Sequence, residues 1–378
     1  MSSFKRSRMP DSEPAPQPLT EVNFKQRTEA FWTWFGEVAE RFHIAVKEQN
    51  SKSLTEELSG KINELLPGFA WVFGPGEKEG HYSLTLAGEG IEHRQILAAL
   101  WLDRAPEIKG WDFYAFRQPS RYPGNFSLNF DDFSVKPIEF WVTPEIDEEE
   151  ERIDISVWHP LAETSEGPSL ETALFLMLDE ILGEIGTGRW IGAIEISKKK
   201  LAESMPIIEL REFVESTSSA RNWTLHHPCD TWSGYTIPED MRGDRPRFDT
   251  ISGMCRAWKT FLGYLENPED FQDPFQEMSA EWIYLSYPVE GTASDDALGK
   301  REDFADLIER NLVEQQSGIR LGGALGFQRC YIDFLVLDGS RSIELIRAAA
   351  RETGMPCDTV VGYLSASKSH AGFPLFGP

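Results

Sequence analysis

The stretch LGGALGFQRCYIDFLVLDG, Leu321–Gly339, decides how the chain folds. Gly322, Gly323 and Gly326 stand ahead of an apolar run, a pattern that invites a phosphate-cradling loop. Such a loop needs its glycines after a strand and at the opening of a helix, whose N-terminal amides then hold the phosphates. Here the glycines precede a strand-like run. GGALG also misses the GxGxxG spacing, and no Gly-Lys-Ser/Thr follows. The stretch therefore predicts two strands, with glycines that make the turn and let the sheet pack closely. By the period of two, Cys330, Ile332, Phe334 and Val336 share one face and Tyr331, Asp333, Leu335 and Leu337 the other. Asp333, an acid in an apolar strand, is the one residue of the stretch with functional interest.

Outward from this hairpin, EWIYLSYPV reads as a strand. KREDFADLIERNLVE is a helix with Phe304, Leu307, Ile308 and Leu312 on one face. RSIELIRAAARE is a helix closed by Gly354 and Pro356, and TVVGYL is a strand. The turn Asp338–Ser342 leads from strand to helix, with Ser340 or Ser342 as the expected N-cap. The order β-α-β-β-α-β over residues 277–378 predicts a ferredoxin-like module. Residues 21–197 predict a second module. It opens with a helix over Val22–Gln49, striped by Phe31, Trp34, Phe35, Val38, Phe42 and Val46. Further helices are expected over Ser53–Leu66, Ile91–Arg104 and Ser169–Gly183. Strands are expected at 69–73, 81–86, 110–117, 126–130, 138–143, 152–158 and 190–196. The fold class is α+β: two modules, each an antiparallel sheet layered with helices. Residues 198–276 read as an irregular connector packing on both, since Trp223, Trp232 and Trp258 suit no free linker. A helix is expected there around Met254–Leu265. Residues 1–20, punctuated by Pro10, Pro14, Pro16 and Pro18, cannot build a core and are expected to be disordered.

Charge limits function further. Sixty-two Asp and Glu against 37 Lys and Arg leave a formal net charge of −25. Nucleic-acid proteins draw affinity from basic surfaces, so no nucleic acid is expected as a partner, whereas a basic protein is. The N-terminus lacks the apolar segment of a secretion signal, and no apolar run is long enough to span a bilayer, which predicts a cytoplasmic protein without membrane contact. Cys229, Cys255, Cys330 and Cys357 show no CxxC spacing and suit reduced thiols, at least two of them in strands.

LHHPCD holds the richest polar cluster: His226, His227, Cys229 and Asp230. Adjacent histidines on an extended chain point to opposite sides, so one ion could meet both only through a kink at Pro228. A Cys229 nucleophile would need a distant base such as His159 or His81. A structural turn is the plainer expectation. Glu145–Asp154, EIDEEEERID, reads as a solvated loop between strands. Asp179, Glu180 and Glu184 read as an exposed charged helix face, with Glu180 and Glu184 at i, i+4. Arg117 in AFRQP and Arg247 in RFD suit an anion contact or a structural ion pair equally. SASK, Ser365–Lys368, falls after the last strand and opens no helix, so its SxxK letters are incidental. No cofactor or metal is expected.

FWTWFGEVAERF, PGFAWVFGPG, GWDFYAFRQP, LDEILGE and GGALGFQRCYIDFLVLDG together resemble stretches of uncharacterised bacterial proteins in domain-of-unknown-function families. The resemblance brings no catalytic residue with it. The C-terminal module is more loosely similar, in topology and acidity, to ferredoxin-like regulators such as RNase E activity regulators and to certain immunity proteins. These features imply a non-catalytic protein-binding or regulatory protein, possible as an immunity-type factor for a basic protein, and a homodimer is compatible with its sheet edges. The alternatives are a hydrolase using His226, His227, Cys229 and Asp230 in the cleft between modules, and a small-molecule sensor using the C-terminal sheet.

Overall fold

The computed structural model describes residues 22–48, 52–129, 133–163, 168–289 and 295–377. The proline-punctuated tail lies outside them. The protein is α+β and divides into two compact units, one of residues 69–227 and the other of residues 228–378 together with the helices that precede Gly68. This differs from the four-part division expected from the sequence. The opening helices α1 (Phe24–Lys47) and α2 (Lys52–Leu65) belong to the unit of the C-terminal half, and the expected connector is cut at Pro228.

The reason for the first difference lies at the start of α1. Asn23 caps the helix in a reciprocal box with Gln26. The Phe24 and Lys25 amides donate to the carbonyls of Ser279 and Leu337, at 3.2 and 3.0 Å. The Asn23 side-chain amide and the Lys25 ammonium both reach the Asp338 carboxylate. Phe31, Phe35 and Phe42 are completely buried along the stripe, each worth roughly 1.5–3 kcal/mol of apolar burial. The 3.6-residue period identifies such a helix, whereas the surface it covers is set by these distant partners.

In the first unit, β1 (Ala70–Pro75) and β2 (Tyr82–Ala87) form the expected hairpin, with Phe73 opposite Leu84. Helix α3 (Glu92–Leu102) then carries the chain back, so that β3 (Trp111–Tyr114) pairs with β2 in parallel. A short ribbon follows, β4 (Leu128–Asn129) with β5 (Ser134–Val135). The second sheet takes β6 (Trp141–Asp147), β7 (Arg152–Trp158), β8 (Ile191–Ser197) and β9 (Met205–Pro206) in the order β8-β7-β6-β9. Helix α4 (Pro168–Trp190) is the crossover that makes β8 parallel to β7. The sheets of this unit are therefore mixed, because a helical crossover returns the chain to the end where it began and a hairpin does not. Helices α4 and α5 (Leu210–Arg221) cover the second sheet, with Val142, Ile155, Val157, Leu174, Leu178, Ile181 and Val214 in one core.

The other unit is built on a seven-stranded sheet. Its strands are β10 (Ser233–Tyr235), β11 (Thr250–Cys255), β12 (Glu281–Pro288), β13 (Gly318–Gly326), β14 (Arg329–Val336), β15 (Val360–Tyr363) and β16 (Phe373–Pro374). They lie in the order β10-β11-β13-β14-β12-β15-β16, every neighbour antiparallel. Helix α7 (Asp295–Glu314) joins β12 to β13, and α8 (Ser340–Glu352) joins β14 to β15, so the order β-α-β-β-α-β runs from β12 to β15. It is not a separate four-stranded layer. The supposed connector supplies two further strands: Met254 lies in β11, and helix α6 starts only at Trp258 (Trp258–Glu266).

The two faces of this sheet differ as the alternation predicts. Ile283, Leu285, Cys330, Ile332, Phe334 and Val336 pack with Ile308 and Leu312 of α7 and Ile346 and Ala349 of α8. Trp282 and Tyr235 on the opposite face stack on Phe261 and Trp258 of α6. Both faces are therefore covered, which is why β13 and β14 are buried almost throughout.

Candidate functional site

Within the opening stretch, Gly322 and Gly323 lie inside β13 and the hairpin turn is Phe327-Gln328. The expectation that the glycines make the turn is corrected, and close packing is their role. A bulge at Leu321 shifts the register between Arg320 and Gly322. A Cβ on Gly322 would stand 2.5 Å from the Met254 carbonyl oxygen and 3.0 Å from the Asp333 carboxylate, so only a bare Cα fits. The turn itself is held from outside, by Asp249. One of its carboxylate oxygens accepts the Gln328 and Arg329 amides, both at 3.2 Å, and the other accepts the Tyr331 hydroxyl at 2.7 Å. Gly339, not a serine, caps α8. The Ser342 hydroxyl instead accepts the Asp338 amide and donates to the Ser317 carbonyl.

Asp333 has a partner that sequence spacing could not show. The carboxylate meets Nη2 of Arg247, and both side chains are enclosed, 3% and 0% exposed. Arg247 comes from the irregular segment before β11 and has a left-handed backbone, φ 79°. Its guanidinium carbon lies 4.6 Å from the Tyr331 ring centroid and 5.9 Å from that of Phe261. These rings give electrostatic compensation to Nε and Nη1, which have no hydrogen-bond partner. Burial alone would lower the Arg247 guanidinium, but the charge of Asp333, with Tyr235 beside it, outweighs this and holds the group protonated. A charge pair sealed in this way is out of reach of a ligand in solvent.

The residues of LHHPCD are not drawn into a comparable arrangement. His226, His227 and Asp230 are exposed and Cys229 is half-buried, with Pro228–Asp230 forming a single 3-10 turn. The His227 ring stacks on Phe116 at 5.6 Å. The two distant histidines have their own neighbours. His159 is buried against the Phe140 ring, its Nδ1 accepting the Leu161 amide, and burial pushes its imidazole down. His81 faces Asp112 at 3.3 Å. Among the described residues, no group of three or more His, Cys, Asp or Glu is arranged to hold a metal ion. Cys255 and Cys330 are buried in strands, and Cys357 is exposed.

The acidic residues of LMLDEILGE depart furthest from expectation. Rather than an exposed face, Glu184 is 2% exposed, because α4 breaks at Gly183 with φ 76° and ψ 161°. The i, i+4 geometry holds only in unbroken helix, so Glu180 and Glu184 do not share a face. A Cβ at Gly183 would meet the Pro119 ring at 2.9 Å and the Arg117 carbonyl oxygen at 3.0 Å, so glycine is required twice over. The break strips carbonyls of their helical partners, and neighbours replace them. The Ser120 amide donates to Glu180 O at 2.7 Å, and the Arg211 guanidinium donates to Ile181 O and Glu180 O.

Beyond the break, the Glu184 amide donates to Arg117 O at 2.9 Å. Its carboxylate accepts from the Gly90 amide at 3.0 Å, Gln95 Nε2 at 2.8 Å and the Arg117 amide at 3.3 Å. Arg117 pairs with Glu89, whose backbone is left-handed at φ 54°. Of the alternatives open for Arg117, the structure holds the ion pair. Burial pushes the Asp179 carboxyl up to about 7, with the Glu184 charge adding to it. Burial raises Glu184 too, against the three N–H groups that favour its charge.

Comparison with protein-family models, curated proteins and solved structures finds no match.

The hairpin β6–β7 carries a run of exposed acidic residues. Glu145, Glu148, Glu149, Glu150 and Glu151 are exposed around its turn. Asp147 folds inward and accepts the amides of Glu149 and Glu150, both at 3.0 Å, which fixes the turn. Glu148 pairs with Arg221 at the end of α5, and Glu151 with Arg189 at the end of α4. The run is a loop between strands, as expected, and it is a well-anchored one. A groove of about 380 Å³ in the other unit is lined by Glu281, Ser340, Glu344, Arg347, Tyr363 and Phe373. Among its polar groups, Arg347 donates to Leu375 O and Glu281 pairs with Lys368. No helix of the described residues is long and apolar enough to cross a membrane.

Proposed function

We propose that the protein is a non-catalytic, protein-binding regulator whose partner is basic, an immunity-type factor being one form this could take. The observation that carries the proposal is the preorganised acidic turn of the β6–β7 hairpin. Its backbone is pinned by Asp147 and its flanks by Arg221 and Arg189. Glu145, Glu149 and Glu150 project from it in a chain of net charge −25. A fixed turn loses little conformational entropy on binding, and a concentrated negative field speeds encounter with a positive surface.

The mode of contact follows from the strand beneath. Strand β9 pairs only with Trp141 and Val142 of β6, which leaves the outer edge from Thr143 to Asp147 without a strand neighbour among the described residues. Pro144 on that edge has no N–H to offer and so guards it against addition of another strand. Side-chain carboxylates, rather than backbone pairing, are the contacts this edge favours.

The test is capture of proteins from source-cell lysate on the immobilised full chain, beside the variant Glu145→Lys/Glu149→Lys/Glu150→Lys. Mass spectrometry is expected to find a basic protein retained at low salt, lost at raised salt and absent from the variant. Retention of nothing by either chain, or equal retention by both, would contradict the proposal.

A further inference from the structure

We infer that the acidic turn and residues 223–225 form one recognition surface, on which the basic partner seats a large apolar side chain carried between basic ones. This rests on the reading of the β6–β7 turn as the binding surface and names what that surface recognises beyond charge. Arg189 holds residues 223–225 against the turn. Its Nε donates to Thr224 O at 3.2 Å, its Nη1 to Glu151 O at 2.8 Å and its Nη2 to the Glu151 carboxylate at 2.7 Å. One guanidinium thus ties the segment to the turn through two main-chain carbonyls as well as an ion pair.

Two tryptophans stiffen the junction. Asn222, left-handed at φ 57°, ends α5, and the Trp223 amide donates back to Ser218 O at 2.9 Å. The Trp223 ring stacks on that of Trp190, with centroids 6.3 Å apart and planes 19° from parallel. The guanidinium carbon of Arg189 lies 4.6 Å from the Trp190 ring centroid, and that of Arg221 lies 5.7 Å from the Trp223 centroid. Arg221 in turn reaches Glu148 Oε1 through Nε at 2.9 Å and Nη2 at 2.7 Å. Glu148, Arg221, Trp223, Trp190, Arg189 and Glu151 thus follow one another in contact, from one side of the turn to the other. Trp190 is buried in the core of the second sheet, and Trp223 packs on that core half-buried.

Leu225 stands outside this chain of contacts and is 46% exposed. An isolated exposed leucine is ordinary. Here its backbone is fixed on both sides, by Arg189 at Thr224 and by the His227 ring stacked on Phe116. Its neighbours across the tie are the carboxylates of the turn. An apolar and aromatic centre beside a charged rim is the anatomy of a protein interface, and a fixed centre costs little entropy to engage. The open apolar area is one leucine with part of one indole, so it suits a single side chain rather than the whole apolar face of a helix. Glu145, Glu149 and Glu150 require that side chain to be flanked by Lys or Arg. Leu201, 40% exposed in the same unit, makes the contrast, since it follows the exposed Lys198, Lys199 and Lys200, which would repel such a segment.

Two synthetic peptides of equal charge test this, each of alternating Lys and Arg, one with Phe and the other with Gly at its centre. Titration calorimetry on the native full chain at low salt is expected to show the Phe peptide binding about tenfold more tightly, as for an apolar group partly buried at an interface. Both affinities should fall as salt rises. Leu225→Ser is expected to remove most of the tenfold preference and leave the Gly peptide unaffected, whereas Leu201→Ser changes neither. Glu145→Lys/Glu149→Lys/Glu150→Lys should weaken both peptides alike. The comparison of the two peptides on the native chain stands whether or not a variant folds. Equal affinity for the two, or a preference that survives in Leu225→Ser, would overturn the inference and leave the acidic turn in place. Failure of both peptides to bind would contradict the reading on which it rests, and the inference with it.

Discussion

Asp333→Ala is expected to destabilise the C-terminal unit by about 3–5 kcal/mol, the range for breaking a buried ion pair by removing one partner. The pair is sealed, and Arg247 already leaves Nε and Nη1 without hydrogen-bond partners. Removal of Asp333 leaves a guanidinium charge with only aromatic faces as compensation. Arg247 cannot shed the charge by deprotonation at any ordinary pH. Asp333→Asn should fall in the same direction, since it keeps the shape and loses the charge. The double variant Arg247→Met/Asp333→Leu should recover most of the loss, because apolar residues of similar volume need no compensation. Denaturant unfolding of the four chains checks this. Additive losses in the double variant would show that the two side chains are not coupled.

Gly322→Ala is expected to cost about 1–3 kcal/mol, as for an extra methyl forced into a packed interior. The added carbon meets the Met254 carbonyl, a main-chain atom of the neighbouring strand β11, so no side-chain rotation can clear it. The matched control is Gly299→Ala in α7, where nothing lies within 4 Å of the added carbon. Alanine also has the higher helix propensity, so that variant should be neutral or more stable by up to about 1 kcal/mol. Equal effects of the two substitutions on the unfolding midpoint would contradict the packing role assigned to Gly322.

The difference between these two glycines shows what the sequence could and could not reveal. Period-two alternation placed Cys330, Ile332, Phe334 and Val336 on one face correctly, and marked Asp333 as an unusual acid. Its partner was not legible, because Arg247 reaches it through tertiary folding from an irregular segment with no period of its own. The stripe on α1 identified a helix, while its membership in the C-terminal unit depends on bonds to Ser279, Leu337 and Asp338. In LMLDEILGE the i, i+4 rule presupposed an unbroken helix, and one backbone angle at Gly183 removed that premise. The letters of LHHPCD promised chemistry by composition alone. Composition fixes no directions, and the chain there runs exposed, with His227 resting on Phe116.

The proposed function rests on the acidic turn of the first unit, which is held rigid from behind. The most direct measurement is the association rate of the captured basic partner with the native chain and with Glu145→Lys/Glu149→Lys/Glu150→Lys, across a series of salt concentrations. Electrostatic steering predicts that the native rate is at least about tenfold above the variant at low salt and that the two converge as salt rises. Equal rates, with no dependence on salt in either chain, would contradict recognition through the acidic hairpin.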